Sequence, residues 1–203
     1  QRQMCIRDSA NGEQIILLNN DIEIITNNWM EEMLMYSQRE DVGAVGAKLY
    51  YPNDTIQHAG VIVGIKGVAG HSHQFMPRDT VGYMFRCYVP QDLSAVTAAC
   101  VMMKKSVFKE VGGLDEEHFK VAFNDIDLCM KIRKAGYLVV WTPYAEAYHY
   151  ESISRGAEDT SEKQERFRGE VAAFMSKWKK ELDMGDPYYN PNLTLEKEDF
   201  SIK

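Results

Sequence analysis

The stretch Gln14-Ile15-Ile16-Leu17-Leu18-Asn19-Asn20-Asp21 decides how this chain is read. Four consecutive apolar residues run straight into two amides and a carboxylate. A short, continuous apolar run of this kind reads as a strand buried on both faces. Asn19, Asn20 and Asp21 then sit at its carboxyl end, where ligands bind in open α/β sheets. Asp21 has two readings. Asn-Asn-Asp is turn chemistry anywhere in a protein. It is also a place to hold Mg²⁺ or Mn²⁺, because hard cations prefer oxygen and often take only one or two carboxylates beside phosphate oxygens.

Outward from this strand, Asn27 or Asn28 caps a helix over 29–39, with Trp29, Met33 and Tyr36 on one face. Residues 42–51 read as a second strand that stops at the turn Pro52-Asn53-Asp54. Residues 61–65 read as a short apolar strand. From 66 to 92 periodicity is lost, and a loop that long inside a compact domain is usually functional or disordered. A strand over 94–103 follows, then a helix over 105–111 stopped by Gly112-Gly113. A further helix covers 124–135. A strand over 137–141 is closed by Thr142-Pro143, and 145–150 is extended. One long helix covers 160–182, with Phe167, Val171, Phe174, Trp178 and Leu182 on its apolar face. Trp29, Phe167, Phe174 and Trp178 read as core aromatics without chemistry. Strands alternate with helices, which argues an α/β fold with a largely parallel sheet.

Bulk properties exclude several classes. The 203 residues suit one domain or at most two, and 45% hydrophobic residues suffice for a core. A net charge of −7 without a basic block argues against nucleic-acid binding driven by the phosphate backbone. Cys5, Cys87, Cys100 and Cys129 form no C-x-x-C pair, so neither a zinc knuckle nor a disulfide framework is suggested. Free thiols fit a reducing compartment. No apolar run approaches the roughly 20 residues that span a bilayer, and residues 1–9 lack a signal peptide's apolar core. The expected location is cytoplasmic.

Three further places could carry chemistry. Asn124-Asp125-Ile126-Asp127 opens a helix, where acids commonly serve as caps and complement the dipole. One of the two aspartates could instead be a general base. At two residues' spacing they point roughly 200° apart, so one only should face a ligand. His149 follows a short apolar strand and reads as a hydrogen-bonded structural residue or a ligand. Arg155, in Ser-Ile-Ser-Arg-Gly, reads as a surface arginine or a phosphate contact. His71 and His73 form H-x-H without a third ligand nearby, which argues against zinc.

Five segments in order resemble a known family: Ile-Leu-Leu-Asn-Asn-Asp, Ala-Val-Thr-Ala-Ala-Cys, Val-Gly-Gly-Leu-Asp-Glu, Phe-Asn-Asp-Ile-Asp-Leu-Cys-Met-Lys-Ile-Arg and Tyr-His-Tyr-Glu-Ser-Ile-Ser-Arg-Gly. The series is similar to the family 2 glycosyltransferases of the GT-A fold, in the rhamnosyltransferase-like branch that builds O-antigen and cell-wall polysaccharides. The resemblance covers residues 10–203. It implies that Asp21 holds Mg²⁺ or Mn²⁺, that His149 completes metal or diphosphate binding, and that Asn19, Asn20 and Arg155 contact the nucleotide-sugar donor. It implies that Asp125 is the base that deprotonates the acceptor. Thr97, Ala98, Ala99, Asp115, Asn124 and Asp127 would line the sugar and acceptor pocket. Asn124 stands where the family has Glu. The implied partners are a UDP- or dTDP-sugar and a saccharide or lipid-linked acceptor, with peripheral association at the inner membrane face.

Family members carry earlier strands ahead of the Asn-Asn-Asp strand, in the half that recognises the nucleotide base. Residues 1–9 match nothing there. The expectation is therefore a foreign segment at 1–9, the C-terminal part of a GT-A core at 10–158, and an amphipathic helix with an extended tail at 159–203. A non-catalytic fragment of the same fold is the competing reading. A nucleotidyltransferase ranks third, because no Gly-rich loop with Lys or Arg is present to bind phosphate.

Overall fold

The computed structural model describes residues 10–150 and 160–203. Arg155 lies outside the described residues, as do residues 1–9. Strands β1 (Gln14–Leu18), β2 (Ile22–Ile24), β3 (Val42–Tyr50), β4 (Ile56–His58), β7 (Gln91–Asp92), β8 (Cys100–Lys104) and β9 (Leu138–His149) form one sheet, with β5 (Val61–Val63) and β6 (Ala69–His71) as a separate hairpin. Helices are α1 (Trp29–Ser37), α2 (Lys105–Glu110), α3 (Asn124–Lys134), α4 (Ser161–Lys177) and α5 (Lys179–Met184). The central path of the sheet runs β1-β8-β3-β9-β2. Strands β3 and β9 form its parallel ladder, and β8 runs antiparallel to both β1 and β3, so β1, β3 and β9 share one direction. This is a mixed α/β sheet, with β3 buried at every residue.

Several elements depart from the sequence pattern for identifiable reasons. Strand β1 ends the sheet path instead of lying between neighbours. Its Ile15 is buried, but Leu18 is 40% exposed. The strand expected over 94–103 forms only from Cys100, because Ala98 and Ala99 donate their amides to side chains instead of a ladder. Beneath this irregular segment β3 passes so closely that a Cβ on Gly46 would lie 2.5 Å from Val96. The segments 137–141 and 145–150 join into one strand. The register jumps from Gly46↔Trp141 to Lys48↔Glu146, and Pro143, which has no N–H to donate, lies in the bulge.

The long helix expected over 160–182 breaks at Trp178 (φ −109°, ψ 22°), whose indole turns into the core. Residues 66–92 are not featureless: they hold β6, β7 and a short 3-10 turn at Tyr83–Phe85. The C-terminal tail packs Tyr189, Leu193 and Phe200 against Ile62 and Ile65 in a small core of its own. The main cores lie on the two faces of the sheet. One joins α3 and α4 through Phe119, Leu128, Ile132, Trp141 and Phe174, and the other seats α1 through Met33.

Candidate active site

A cavity of about 610 Å³ opens where the turn after β1, the segment before β8, the N-terminus of α3 and the end of β9 meet. It gathers Asn19, Asp21, Thr97, Ala98, Ala99, Asn124, Asp125 and His149, eight of the residues singled out in the sequence. Asn20 is exposed in the adjoining turn and does not line it.

One end of the cavity is built by backbone pairing. The Asn19 amide donates to the Ala99 carbonyl at 2.9 Å, and the Tyr150 amide to the Asp21 carbonyl at 2.9 Å. These bonds tie the Asn19–Asp21 turn to β8 and β9. His149 is buried here, and Gln57 sets its tautomer. The Gln57 Nε2 donates to the His149 carbonyl at 3.3 Å, which leaves Gln57 Oε1 as acceptor for His149 Nδ1 at 2.6 Å. Nδ1 therefore carries hydrogen, and in the neutral ring Nε2 presents its lone pair. Nε2 stands 3.2 Å from the Asn19 Nδ2 donor and 3.2 Å from Asp21 Oδ1. Asp21 Oδ1 is buried and makes no hydrogen bond. Two acceptor atoms at that separation need either a proton on Nε2 or a cation shared between them.

The other end is the start of α3. Asp125 Oδ2 accepts from the Ala98 amide at 3.2 Å, and Oδ1 from the Ile126 amide at 2.9 Å. Both oxygens keep a lone pair for a hydroxyl. Phe123 precedes the helix in the left-handed region (φ 64°), an unusual conformation for a bulky residue. Its ring lies 5.7 Å from Phe167 and 5.4 Å from Phe174, so α4 holds it there. Phe167, read from sequence as core, is 42% exposed and lines the cavity.

Asp115 and Asp127 do not line the cavity. Asp127 has no exposed surface. Its Oδ1 accepts from Trp178 Nε1 at 2.9 Å and pairs with Lys177 Nζ at 2.7 Å, while Lys131 Nζ stands 3.2 Å from Oδ2. Helical rotation is the reason: the turn that aims Asp125 outward aims Asp127 into the α3–α4 interface. Asp115 pairs with Lys177 at 2.9 Å and His118 at 3.0 Å. Burial raises its carboxyl, but hydrogen bonds from Lys177 and His118 outweigh that and hold it well below the usual carboxylate range.

Sequence reading missed His58 and Gln57. His58 is fully buried, accepts from the Thr97 amide at 3.4 Å through Nε2, and meets His71 Nδ1 to Nδ1 at 2.9 Å. Burial, then the neighbouring His71 and His149, push it far below the usual histidine value, so it stays neutral. His71 thus finds a hydrogen-bond partner thirteen residues earlier. His73 stacks on Phe200 at 4.4 Å and accepts from the Tyr83 amide at 3.0 Å, outside the cavity. Among the described residues no three His, Cys, Asp or Glu side chains converge to cage a metal. Cys87, Cys100 and Cys129 are buried and unpaired with one another. No described helix is long and apolar enough to cross a membrane.

No protein-family model matches the chain. It is 54% identical over 193 residues to the uncharacterized protein y4gI of Sinorhizobium fredii, covering 95% of this chain and 21% of that protein. It is 38% identical over 195 residues to the O-antigen biosynthesis protein RfbC of Myxococcus xanthus, covering 96% of this chain and 15% of that protein. The N-acetylglucosaminyl-diphospho-decaprenol L-rhamnosyltransferase of Mycobacterium tuberculosis is 30% identical over 115 residues, covering 55% of this chain and 36% of that enzyme. The chain thus spans 15 to 36% of the length of these relatives.

Among solved structures, the mannosyltransferase PcManGT from Pyrobaculum calidifontis, in complex with GDP-Man and Mn²⁺, superposes with a TM-score of 0.53 at 13% identity, covering 88% of this chain and 42% of that one. GalNAc-T7 with UDP, GalNAc and Mn²⁺ gives 0.57 at 12% identity, covering 89% and 35%. At such identities the likeness speaks for the fold. The chain has the fold of the GT-A glycosyltransferases, and its sequence is similar to proteins named for O-antigen biosynthesis and rhamnosyl transfer.

Proposed function

We propose that this cavity is the metal and acceptor end of an inverting glycosyltransferase site that moves a sugar from a nucleotide-diphosphate donor to a saccharide or lipid-linked acceptor. The observation that carries the reading is the pair Asp21 Oδ1 and His149 Nε2, 3.2 Å apart, with the carboxylate oxygen buried and making no hydrogen bond. This donor set fits Mg²⁺ or Mn²⁺: one carboxylate oxygen and one imidazole leave the remaining positions to diphosphate oxygens and water. Bound there, the cation supplies neutralisation of the charge that grows on the departing diphosphate. Gln57 holds the tautomer in which the His149 Nε2 lone pair is left for that position. Asp125, on the opposite wall, takes the proton of the acceptor hydroxyl as its oxygen bonds the anomeric carbon and the bond to the diphosphate breaks. One base and one in-line displacement invert the anomeric configuration, unlike the two-carboxylate scheme of retaining glycosidases. UDP or dTDP is the proposed nucleotide, and the proposed working place is the cytoplasmic membrane face, where a lipid-linked acceptor would be met.

Titration calorimetry with UDP or dTDP and Mn²⁺ tests the site. Binding should require the metal and disappear in Asp21→Ala. Asp125→Asn should abolish transfer and leave nucleotide affinity within about twofold, because a base is not a donor-binding group. A folded chain that binds neither nucleotide with Mn²⁺ would leave the non-catalytic reading in its place.

A further inference from the structure

Glu170 lies on α4, is 4% exposed, and does not line the cavity. Its carboxylate nevertheless reaches the cavity wall from behind. Oε1 accepts from the Lys120 amide at 3.1 Å and the Val121 amide at 3.1 Å, and Oε2 from the Ala122 amide at 2.8 Å. Arg166 Nε stands 3.7 Å from Oε1. A carboxylate that collects consecutive backbone amides makes strong charge-assisted bonds and fixes how those peptide planes face. Lys120, Val121 and Ala122 all line the cavity, immediately ahead of Phe123 and Asp125.

Peptide geometry then determines what this wall shows to a ligand. In a trans peptide the C=O points opposite to the N–H of the next residue, and the described backbone has no cis peptide. The Val121 and Ala122 amides point back to Glu170, so the Lys120 and Val121 carbonyls point forward, away from α4. Neither carbonyl accepts a hydrogen bond from any described residue. Anion sites are built the other way round, with amides aimed at the ligand. The backbone of this wall therefore offers acceptors, which suit the hydroxyl donors of a sugar.

We infer that Glu170 is a positioning residue, and that the Lys120 and Val121 carbonyls it turns outward form a hydroxyl-binding wall for the saccharide acceptor beside Asp125. The inference rests on the glycosyltransferase reading for the identity of its ligand. It divides the cavity into a cation and diphosphate end at Asp21 and His149 and a sugar-hydroxyl end at 120–122.

The test combines backbone carbonyl ¹³C shifts with Glu170→Gln. In the wild type, titration with methyl α-L-rhamnopyranoside should shift the Lys120 and Val121 carbonyl resonances. In Glu170→Gln those shifts should vanish, and amide exchange at 120–122 should quicken about tenfold, as expected for about one lost hydrogen bond. UDP–Mn²⁺ affinity should stay within about twofold, while the acceptor KM rises about tenfold with kcat less affected. A merely structural role would lower nucleotide affinity and acceptor use together, and that result overturns the inference. So does a wild type whose 120–121 carbonyls ignore the sugar, a measurement that needs no variant to fold. Wild-type protein that fails to bind UDP–Mn²⁺ but shows the carbonyl shifts would refute the donor reading and leave the wall standing.

Discussion

Asp125 and Asp127 sit two positions apart on α3 and should fail in opposite ways when changed. Asp127 has no exposed surface and is tied to Lys177, Lys131 and Trp178. Breaking a fully buried ion pair costs about 3–5 kcal/mol. Here Lys177 keeps 35% of its side chain in solvent and can rehydrate, so the charge loss alone belongs below that range. Asp127→Ala also strands the buried Trp178 N–H, at about 1–3 kcal/mol. Together these give about 3 kcal/mol, and at about 2–4 °C per kcal/mol for a chain of this size the melting temperature should fall about 6–12 °C. Asp127→Asn, which keeps an acceptor for the indole, should lose roughly half of that. Asp125→Asn removes a helix-dipole interaction of about 0.3–1 kcal/mol and retains an oxygen for the Ala98 amide. It should melt within about 4 °C of the wild type and lose transfer. The assay is thermal unfolding in parallel with UDP–Mn²⁺ titration and product formation. Asp127→Ala melting with the wild type, or Asp125→Asn proving the less stable of the two, would refute the assignment of one acid to the core and the other to the cavity.

Other outcomes follow from single features. Burial pushes His73 down to about 4 from the ordinary 6.5, with Arg86 and Lys48 adding to it, and His58 is lowered as well. The unfolded chain binds protons at these positions before the folded one does, so stability should fall as pH drops from about 6.5 toward about 4. His73→Phe, which keeps an aromatic ring against Phe200, should flatten that slope in pH-dependent denaturation. Burial pushes the Cys100 and Cys129 thiols up to about 12, so a disulfide reagent at pH 8 should label them only as fast as the chain unfolds. Labelling within the mixing time would contradict their burial. Gly46→Ala places a Cβ 2.5 Å from Val96 and should destabilise by about 1–3 kcal/mol in urea melts.

The sequence was most informative where local rules act. The opposed directions of Asp125 and Asp127 follow from helical rotation alone, although the helix begins without the side-chain cap its Asn and Asp suggested, Phe123 standing at the N-cap. The turn at Asn19–Asp21 follows from an apolar run meeting amides and a carboxylate. What stayed hidden depends on partners distant in the chain. Gln57 and His58 sit in a three-residue strand, and nothing nearby shows that Gln57 will meet His149, ninety-two residues later. Glu170 occupies a helix rich in Glu, Lys and Arg, where a carboxylate reads as solvated surface. Only the packing of α4 behind residues 120–122 makes it a buried acceptor. Phe167 shared a helical stripe with Phe174, yet Phe174 is buried while Phe167 opens to the cavity.

The two acids of the cavity differ in what surrounds them, and the difference supports the roles proposed for them. Asp125 spends a lone pair of each oxygen on a backbone amide, so the fold already compensates its charge and it can wait for a hydroxyl. Asp21 has a buried oxygen without a hydrogen bond, facing an imidazole lone pair. Burying an anionic oxygen without a hydrogen bond is costly, and either a proton on His149 Nε2 or an entering cation offsets that cost. The supports differ too. Asp21 and His149 are fixed by bonds among β1, β4, β8 and β9, whereas Asp125 is fixed by α3 and by α4 gripping the residues before it. The carboxylate stabilised by amides and the one proposed to take a metal are therefore carried mainly on different elements, joined through residues 97–99. On the proposed function, changes in α4 and residues 119–123 would then act on the acceptor side first.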